Sequence, residues 1–365
     1  MVYRAIGLMS GSSLDGLDVV FVELTEQRGK WNYEIRAAET MPYNTHWKQA
    51  LAGATQLFAY DYLELHAAYG KFLGEAVNTF INEYNFHHQV QLICSHGHTI
   101  FHAPDKKFTA QLGDGAAIAA TTGINVISDL RALDVAYGGQ GAPIVPVGEK
   151  LLFEQFNWLM NIGGIANLSC RREDSYIAFD VCPANAVLNK LAMSAGMEYD
   201  NNGNLAASGN VNEALLKQLN EQIYYTVQPP KSLDNSFGST VIYPLIQSFS
   251  LSVNDALRTY TEHIAFQAGN SIGTLVHEPL SKTEQLLITG GGAFNAFLIE
   301  RIQASLAKYN IEIALPHADV INYKEALIMA LLGVLRWREE NTVFASVTGA
   351  ARSSIGGAVW IGQEA

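Results

Sequence analysis

The chain has 365 residues, 48% of them hydrophobic and 16% charged, a composition that builds a large core and excludes a disordered chain. At about 100–200 residues per domain, that length points to two domains rather than one small binding module. The formal charge is −12 and the 23 Lys and Arg residues form no basic stripe, so nucleic acid is not an expected partner. A bound polyphosphate would therefore need backbone N–H groups and a divalent cation against an acidic background. Cys94, Cys170 and Cys182 show no C-x-x-C spacing, which indicates neither a disulfide framework nor a thiolate zinc site and fits a reducing, cytoplasmic compartment. The longest apolar run, residues 326–335, is about half a membrane span, and the N-terminal apolar stretch is too short for a signal peptide; no membrane association is expected.

Alternating stretches at 3–8, 17–24 and 33–39 predict an antiparallel meander, joined by the turns MSGSSLDG and TEQRGKW. Residues 62–84 carry Leu65, Tyr69, Phe72, Ala76 and Phe80 at helical spacing. The strand QLICS, a helix around 114–122 and the strand INVIS follow. The second half repeats this order. Strands at 157–162, 165–170 and 176–179 lead to a helix at 184–195, and a helix around 253–276 precedes the strand QLLIT. A helix opened by glycines at 290–308, the strand IEIAL and a last helix near 323–338 complete it. Two similarly ordered halves predict duplicated α/β domains, 1–140 and 141–365, parting in the Gly/Pro-rich segment 137–146. The Asn-, Gly- and Pro-rich segment near 200–238 reads as a surface insertion.

The candidate chemistry lies in the turns. In GLMSGSSLDGLD the turn residues Gly11, Ser12, Ser13, Leu14, Asp15 and Gly16, followed by Leu17 and Asp18, can present N–H groups to a phosphate and carboxylates to a hydrated cation. An ordinary polar hairpin is the bland alternative. NIGGIAN places Gly163, Gly164 and Asn167 at the matching position of the second half, and TGGGAFN places Gly290, Gly291 and Gly292 at a strand-to-helix junction. Neither is a complete P-loop or dinucleotide fingerprint, and close packing explains each alone equally well. In AFDVCPAN, Asp180 ends an apolar strand toward an inferred interdomain cleft, where a carboxylate serves as a general base or, alternatively, as a helix cap. SDLRALD offers Asp129 for sugar hydroxyls and Arg131 for a substrate carboxylate, with a surface ion pair as the plain reading. His96 and His98 have the H-x-H spacing of zinc sites, but no further ligand motif accompanies them.

Taken in order, GLMSGSSLDGLD, SHGHTIFH, QLGDG, SDLRALDVAYGGQGAPIVP, NIGGIAN, FDVCPAN, ITGGGAFN and SVTGA resemble the anhydro-N-acetylmuramic acid kinases, over nearly the whole chain. The resemblance implies two ribonuclease H-like, actin-like ATPase domains flanking a cleft, in the superfamily of hexokinase, actin and the heat-shock chaperone ATPases. It implies ATP and Mg²⁺ as cofactors, an amino-sugar substrate and a homodimer. It also implies conversion of 1,6-anhydro-N-acetylmuramic acid, ATP and water to N-acetylmuramic acid 6-phosphate and ADP in peptidoglycan recycling. By this resemblance residues 11–18 form the first phosphate loop, NIGGIAN the second, and residues 290–292 pack near the adenosine. Asp180 becomes the general base, and Gly97, Asp129, Arg131 and Glu325 contact the sugar. The Mg²⁺ ligands are not identified.

Four motifs depart from the family pattern. Ser12 replaces a threonine, His98 a glutamine, and Val181-Cys182-Pro183-Ala184 stands for Thr-Gly-Pro-Gly; Lys231-Ser232-Leu233-Asp234 replaces Lys-Ser-Thr-Gly. These changes bear on the sugar more than on ATP. The competing expectations are a kinase for a related sugar, a nucleotide-dependent sugar sensor, and a zinc hydrolase built on His96 and His98.

Overall fold

The computed structural model describes residues 1–11, 13–172, 175–229, 231–234, 236–276 and 279–363, except for the side chains of Arg172 and Ser175. The chain forms two compact units, Met1–Glu154 with Tyr323–Ala365, and Gln155–Asn322.

The first unit opens with β1 (Val2–Ser10), β2 (Gly16–Gln27) and β3 (Lys30–Pro42), the antiparallel meander that the alternating pattern predicts. Helices α1 (Thr45–Gly53) and α2 (Ala59–Glu83) follow, then β4 (Leu92–Ala103), β5 (Phe108–Leu112), α3 (Gly115–Thr122), β6 (Asn125–Ser128), α4 (Ala132–Ala136) and α5 (Pro146–Leu152). Asn44 and Asp114 cap α1 and α3 by accepting from the N–H groups of Trp47 and Ala116. β4 runs parallel to β1 and β6, which gives the order β3-β2-β1-β4-β6.

The second unit contains β7 (Trp158–Ile162), β8 (Ile165–Arg172), β9 (Ser175–Pro183), α6 (Asn185–Met193), α7 (Asn204–Ser208), α8 (Glu213–Asn220) and α9 (Tyr243–Ser248). It continues with α10 (Val253–Leu275), β10 (Glu284–Thr289), α11 (Ala296–Leu306) and β11 (Ile311–Ala314). Its sheet order, β9-β8-β7-β10-β11, repeats that of the first unit: three antiparallel strands, then two parallel ones beside the first. This shared topology is the duplicated ribonuclease H-like arrangement expected from the motifs. Helix α12 (Ala318–Trp337), α13 (Ala345–Thr348) and β12 (Ala358–Trp360) end the chain, with β12 antiparallel to β6.

In the first unit, Ile6 and Leu8 of β1, Phe21 of β2 and Leu73, Val77 and Phe80 of α2 share one core on one face of the sheet. The opposite face is covered by α12, whose run 326–335 is too apolar to be exposed anywhere. A Cβ on Gly7 would lie 1.9 Å from the Ala326 carbonyl oxygen, and one on Gly333 would lie 2.6 Å from Cys94 Cβ. Only glycine permits this close contact of helix and sheet. No helix among the described residues is long and apolar enough to cross a membrane.

Two expectations change. The compact units part at 154/155 rather than 140/141, because the segment after 140 still packs on the first sheet: Phe153 meets Tyr33 at 5.7 Å between ring centres, and Glu149 of α5 pairs with Lys324 at 2.7 Å. The last segment then returns to that unit through β12. The stretch 200–238 is not a mere surface insertion, since Ala206, Leu215, Leu219 and Tyr225 are buried in one core with Leu257, Tyr260 and Ile264 of α10. The i, i+4 pair Leu215 and Leu219 marks that buried helix face beneath a polar composition.

Candidate active site

The β1–β2 turn holds its carboxylates close together. Asp15 Oδ1 accepts from Ser13 Oγ at 2.6 Å and from the Gly16 N–H at 3.0 Å, while Leu14 adopts the left-handed region at φ 57°. Asp18 Oδ1 accepts from Thr40 Oγ1 at 2.6 Å. Burial pushes the Asp18 carboxyl up to about 6 against that hydrogen bond, and the negative charges of Asp15 and Glu325 push the same way. The Gly11 N–H bonds to no described residue, which leaves a donor at the mouth of the turn. Ser12 lies outside the described residues.

The sugar-side candidates belong to the same unit. Gly97 has φ 72°, and a Cβ there would sit 2.4 Å from the Leu112 carbonyl oxygen, so no other residue fits between β4 and β5. Asp129 is also left-handed, at φ 54°, and burial raises its carboxyl while His66 opposes the shift. The Arg131 guanidinium donates through Nε to His96 Nε2 at 2.9 Å and through Nη1 to the Gly141 carbonyl at 2.5 Å. Burial lowers Arg131 to about 10, which leaves it cationic at neutral pH, and Glu325 supports the charge. Glu325 lies just past the break in α12 at Tyr323, where φ is −119°, in the first turn of the helical segment that follows the break. Its carboxyl is raised by burial, and the charge of Glu149 pushes the same way while Lys324 and Arg131 oppose it. Within this unit the charge of Glu325 thus acts on both Asp18 and Arg131.

His96 and His98 do not form a zinc site. Arg131 makes His96 Nε2 an acceptor, and Nδ1 donates to the Gly97 carbonyl at 2.9 Å, so both ring nitrogens are used. Burial and the neighbouring guanidinium hold His96 down to about 3, keeping it neutral. His98 Nδ1 bonds Ser10 Oγ at 2.9 Å, and Ser10 also accepts from Tyr43 at 2.7 Å. Among the described residues no group of three or more His, Cys, Asp or Glu is arranged to hold a metal ion.

In the second unit Asp180 sits within β9, which continues to Pro183 instead of ending at the aspartate. A bulge opposite Ala166 and Asn167 interrupts the register there, so two successive residues, Val181 and Cys182, are both fully buried. Cys182 is part of the buried core. The helix-cap reading of Asp180 also fails, because α6 starts after Ala184 with no side-chain cap. Asp180 Oδ2 accepts from Ser232 Oγ at 3.0 Å and from the Leu233 N–H at 2.8 Å.

The β7–β8 turn packs under α6: the Gly164 carbonyl accepts from Ala184 at 2.7 Å and the Gly163 carbonyl from Asn185 at 3.0 Å. The Gly164 N–H, like that of Gly11, bonds to no described residue. The glycine triplet does not open a helix directly. Gly291–Phe294 form a 3₁₀ turn and α11 begins at Ala296, capped by the Asn295 side chain. Gly290 has φ 80°, and a Cβ on Gly292 would lie 2.2 Å from Ile162 Cγ2, so these two let the turn lie on the end of β7.

The model of the family described as anhydro-N-acetylmuramic acid kinase matches residues 3–362. The chain is 33% identical to the anhydro-N-acetylmuramic acid kinase of Hydrogenovibrio crunogenus, with 97% of each chain covered. It is 32% identical to that of Vibrio parahaemolyticus over 95% of each, and 30% identical to that of Haemophilus influenzae over 97% of each. The chain belongs to this family. It is therefore an ATP-dependent sugar kinase of the cell-wall recycling type. In this kinase, sequence reasoning missed the parts that reach the site through the backbone. The Leu233 N–H, the Lys231 carbonyl and the Tyr224 hydroxyl all bond Asp180, and only Tyr224 among them does so with its side chain.

Proposed function

We propose that this kinase opens the anhydro bridge of 1,6-anhydro-N-acetylmuramic acid with water and transfers the γ-phosphoryl of ATP to O6, giving N-acetylmuramic acid 6-phosphate and ADP. The observation that carries the reading is Asp180, a carboxylate with one oxygen held by two donors and the other bonded to no described residue. Its Oδ1 takes a proton from water as the water oxygen bonds C1. The C1–O6 bond breaks, and O6 attacks the γ-phosphorus as ADP leaves. An alkoxide leaving group ordinarily requires an acid, whereas here the phosphoryl group captures it, so one carboxylate suffices. Arg131 pairs with the lactyl carboxylate, and Asp129, Glu325 and the Gly97 backbone bond the sugar.

Residues 11–18, with Gly163, Gly164 and Asn167, hold the phosphates, and residues 290–292 lie against the adenosine. The donor set near Asp18 fits Mg²⁺: a carboxyl raised by burial beside Asp15 and Glu325 is relieved by a cation, and Mg²⁺ needs only one or two protein carboxylates besides phosphate and water. When bound, the ion neutralises charge on the transferring phosphate. Three free, buried cysteines support a cytoplasmic setting, and the family likeness extends the reading to a homodimer.

The test is reaction with Mg²⁺-ATP and the anhydro sugar in ¹⁸O-water, followed by mass spectrometry, with preformed N-acetylmuramic acid 6-phosphate as the exchange control. One ¹⁸O at the anomeric position is the expected result. A phosphorylated sugar without it, or no sugar product with ATP still bound, would overturn the coupled mechanism; the second outcome favours a sensor.

A further inference from the structure

We propose that residues 231–233 are a positioning clamp for Asp180, in which Ser232 fixes the carboxylate so that a single oxygen faces the attacking water. This rests on the reading of Asp180 as the base. β9 is the edge strand of its sheet, and the outward backbone groups of an edge strand need partners. At Asp180 they have them: its N–H donates to the Lys231 carbonyl at 3.2 Å and its carbonyl accepts from Tyr224 OH at 2.6 Å. The segment then turns over the side chain, with Ser232 Oγ and the Leu233 N–H both on Oδ2. Four hydrogen bonds thus set the backbone and carboxylate plane of one residue.

The clamp is itself anchored. Lys231 Nζ donates to the Tyr224 carbonyl at 3.3 Å and lies 4.6 Å from the centre of its ring. Next to it, Tyr225 OH donates to His263 Nε2 at 3.0 Å. His263 Nδ1 donates to Asn220 Oδ1 at 2.7 Å, and that oxygen also accepts from Gln267 Nε2 at 3.0 Å. Asn220 Oδ1 can only accept, so the histidine tautomer and the direction of every bond are set. His263 and Gln267 belong to α10, and Tyr260 of the same helix donates to the Pro183 carbonyl at 2.8 Å, so one rigid helix holds both the clamp and the end of β9. Leucine in place of the family's threonine at 233 leaves the clamp whole, because that position acts through its N–H.

The experiment compares kcat and both KM values for Ser232→Ala, Ser232→Thr and Asp180→Asn, with ATP affinity as the control for folding. Losing one hydrogen bond to a charged group should lower kcat about tenfold in Ser232→Ala, with both KM values unchanged. Ser232→Thr should recover most of that loss. A raised sugar KM at unchanged kcat would make Ser232 a substrate ligand and overturn the clamp. Wild-type kcat in Ser232→Ala beside a crippled Asp180→Asn would overturn the clamp alone, whereas full activity in Asp180→Asn would overturn the base itself.

Discussion

Asp18 should make this kinase less stable at neutral pH than it would be with a neutral side chain. Its carboxyl is raised from 3.8 to about 6, first by burial and then by Asp15 and Glu325. The folded protein therefore holds a proton on Asp18 more tightly than the unfolded chain does. The stabilisation from that proton is complete below pH 3.8, fades as pH rises, and is gone above about 6. At about 1.4 kcal/mol for each tenfold ratio, Asp18→Asn should gain up to about 3 kcal/mol at pH 7.5, about half of that at pH 5 and little at pH 4. The amide oxygen still accepts from Thr40, so the 2.6 Å hydrogen bond there is kept. For a unit of this size each kcal/mol moves Tm by about 2–4 °C, so calorimetry should show a rise of up to about 6–12 °C at pH 7.5 that shrinks on acidification. Turnover should fall while stability rises, the usual relation where an active site holds charge against its surroundings. A Tm difference that is the same at pH 4 and pH 7.5 would refute the reasoning.

Asp180→Asn should reduce sugar turnover by about 10²–10⁴-fold with ATP binding intact, measured by calorimetric titration. Arg131→Met should raise the sugar KM by about 10–100-fold and leave that for ATP nearly unchanged; equal increases would place Arg131 elsewhere. Gly292→Ala should destabilise the second unit by about 1–3 kcal/mol in denaturant titration, since its Cβ would meet Ile162 Cγ2 at 2.2 Å. Purified without chelators, the protein should carry no stoichiometric zinc by elemental analysis, because Arg131 and the Gly97 carbonyl occupy both ring nitrogens of His96.

The strands and long helices were legible because their signals are local. Period-two alternation marks both meanders, and the stripe through Tyr69, Ala76 and Phe80 marks α2, whose three residues are buried. β4 runs on to Ala103 beyond the expected QLICS, and β5 pairs with that extension, a partnership no window of a few residues displays. β12 is three residues long and exists through its pairing with β6. The turn residues were visible as glycines and acids, but the burial that raises Asp18 and Glu325 is tertiary. Ser232 was visible only as part of an altered motif, since its partner lies 52 positions away.

The duplicated topology also shows how one fold was made to carry two different acids. In the first unit the last two strand pairs before the turn are Met9 with Asp18 and Ser10 with Leu17; in the second they are Asn161 with Asn167 and Ile162 with Ala166. Asp18 and Asn167 therefore occupy equivalent positions. Their neighbours on the third strand are equivalent too, Thr40 opposite Asp18 and Asp180 opposite Asn167. Each unit thus keeps one carboxylate and one neutral side chain at the same pair of sites, with the strands exchanged. On the second strand the acid lies beside the β1–β2 turn, the proposed phosphate loop, and accepts from Thr40, where a cation would relieve its buried charge. On the third strand, at the sheet's edge, it is open to a loop from outside the sheet, and residues 231–233 supply the hydrogen bonds that Thr40 supplies in the first unit. The proposed roles, a charge-stabilising acid at Asp18 and a proton-accepting acid at Asp180, call for these different settings, which the exchange of one residue pair between strands and the 231–233 loop together provide.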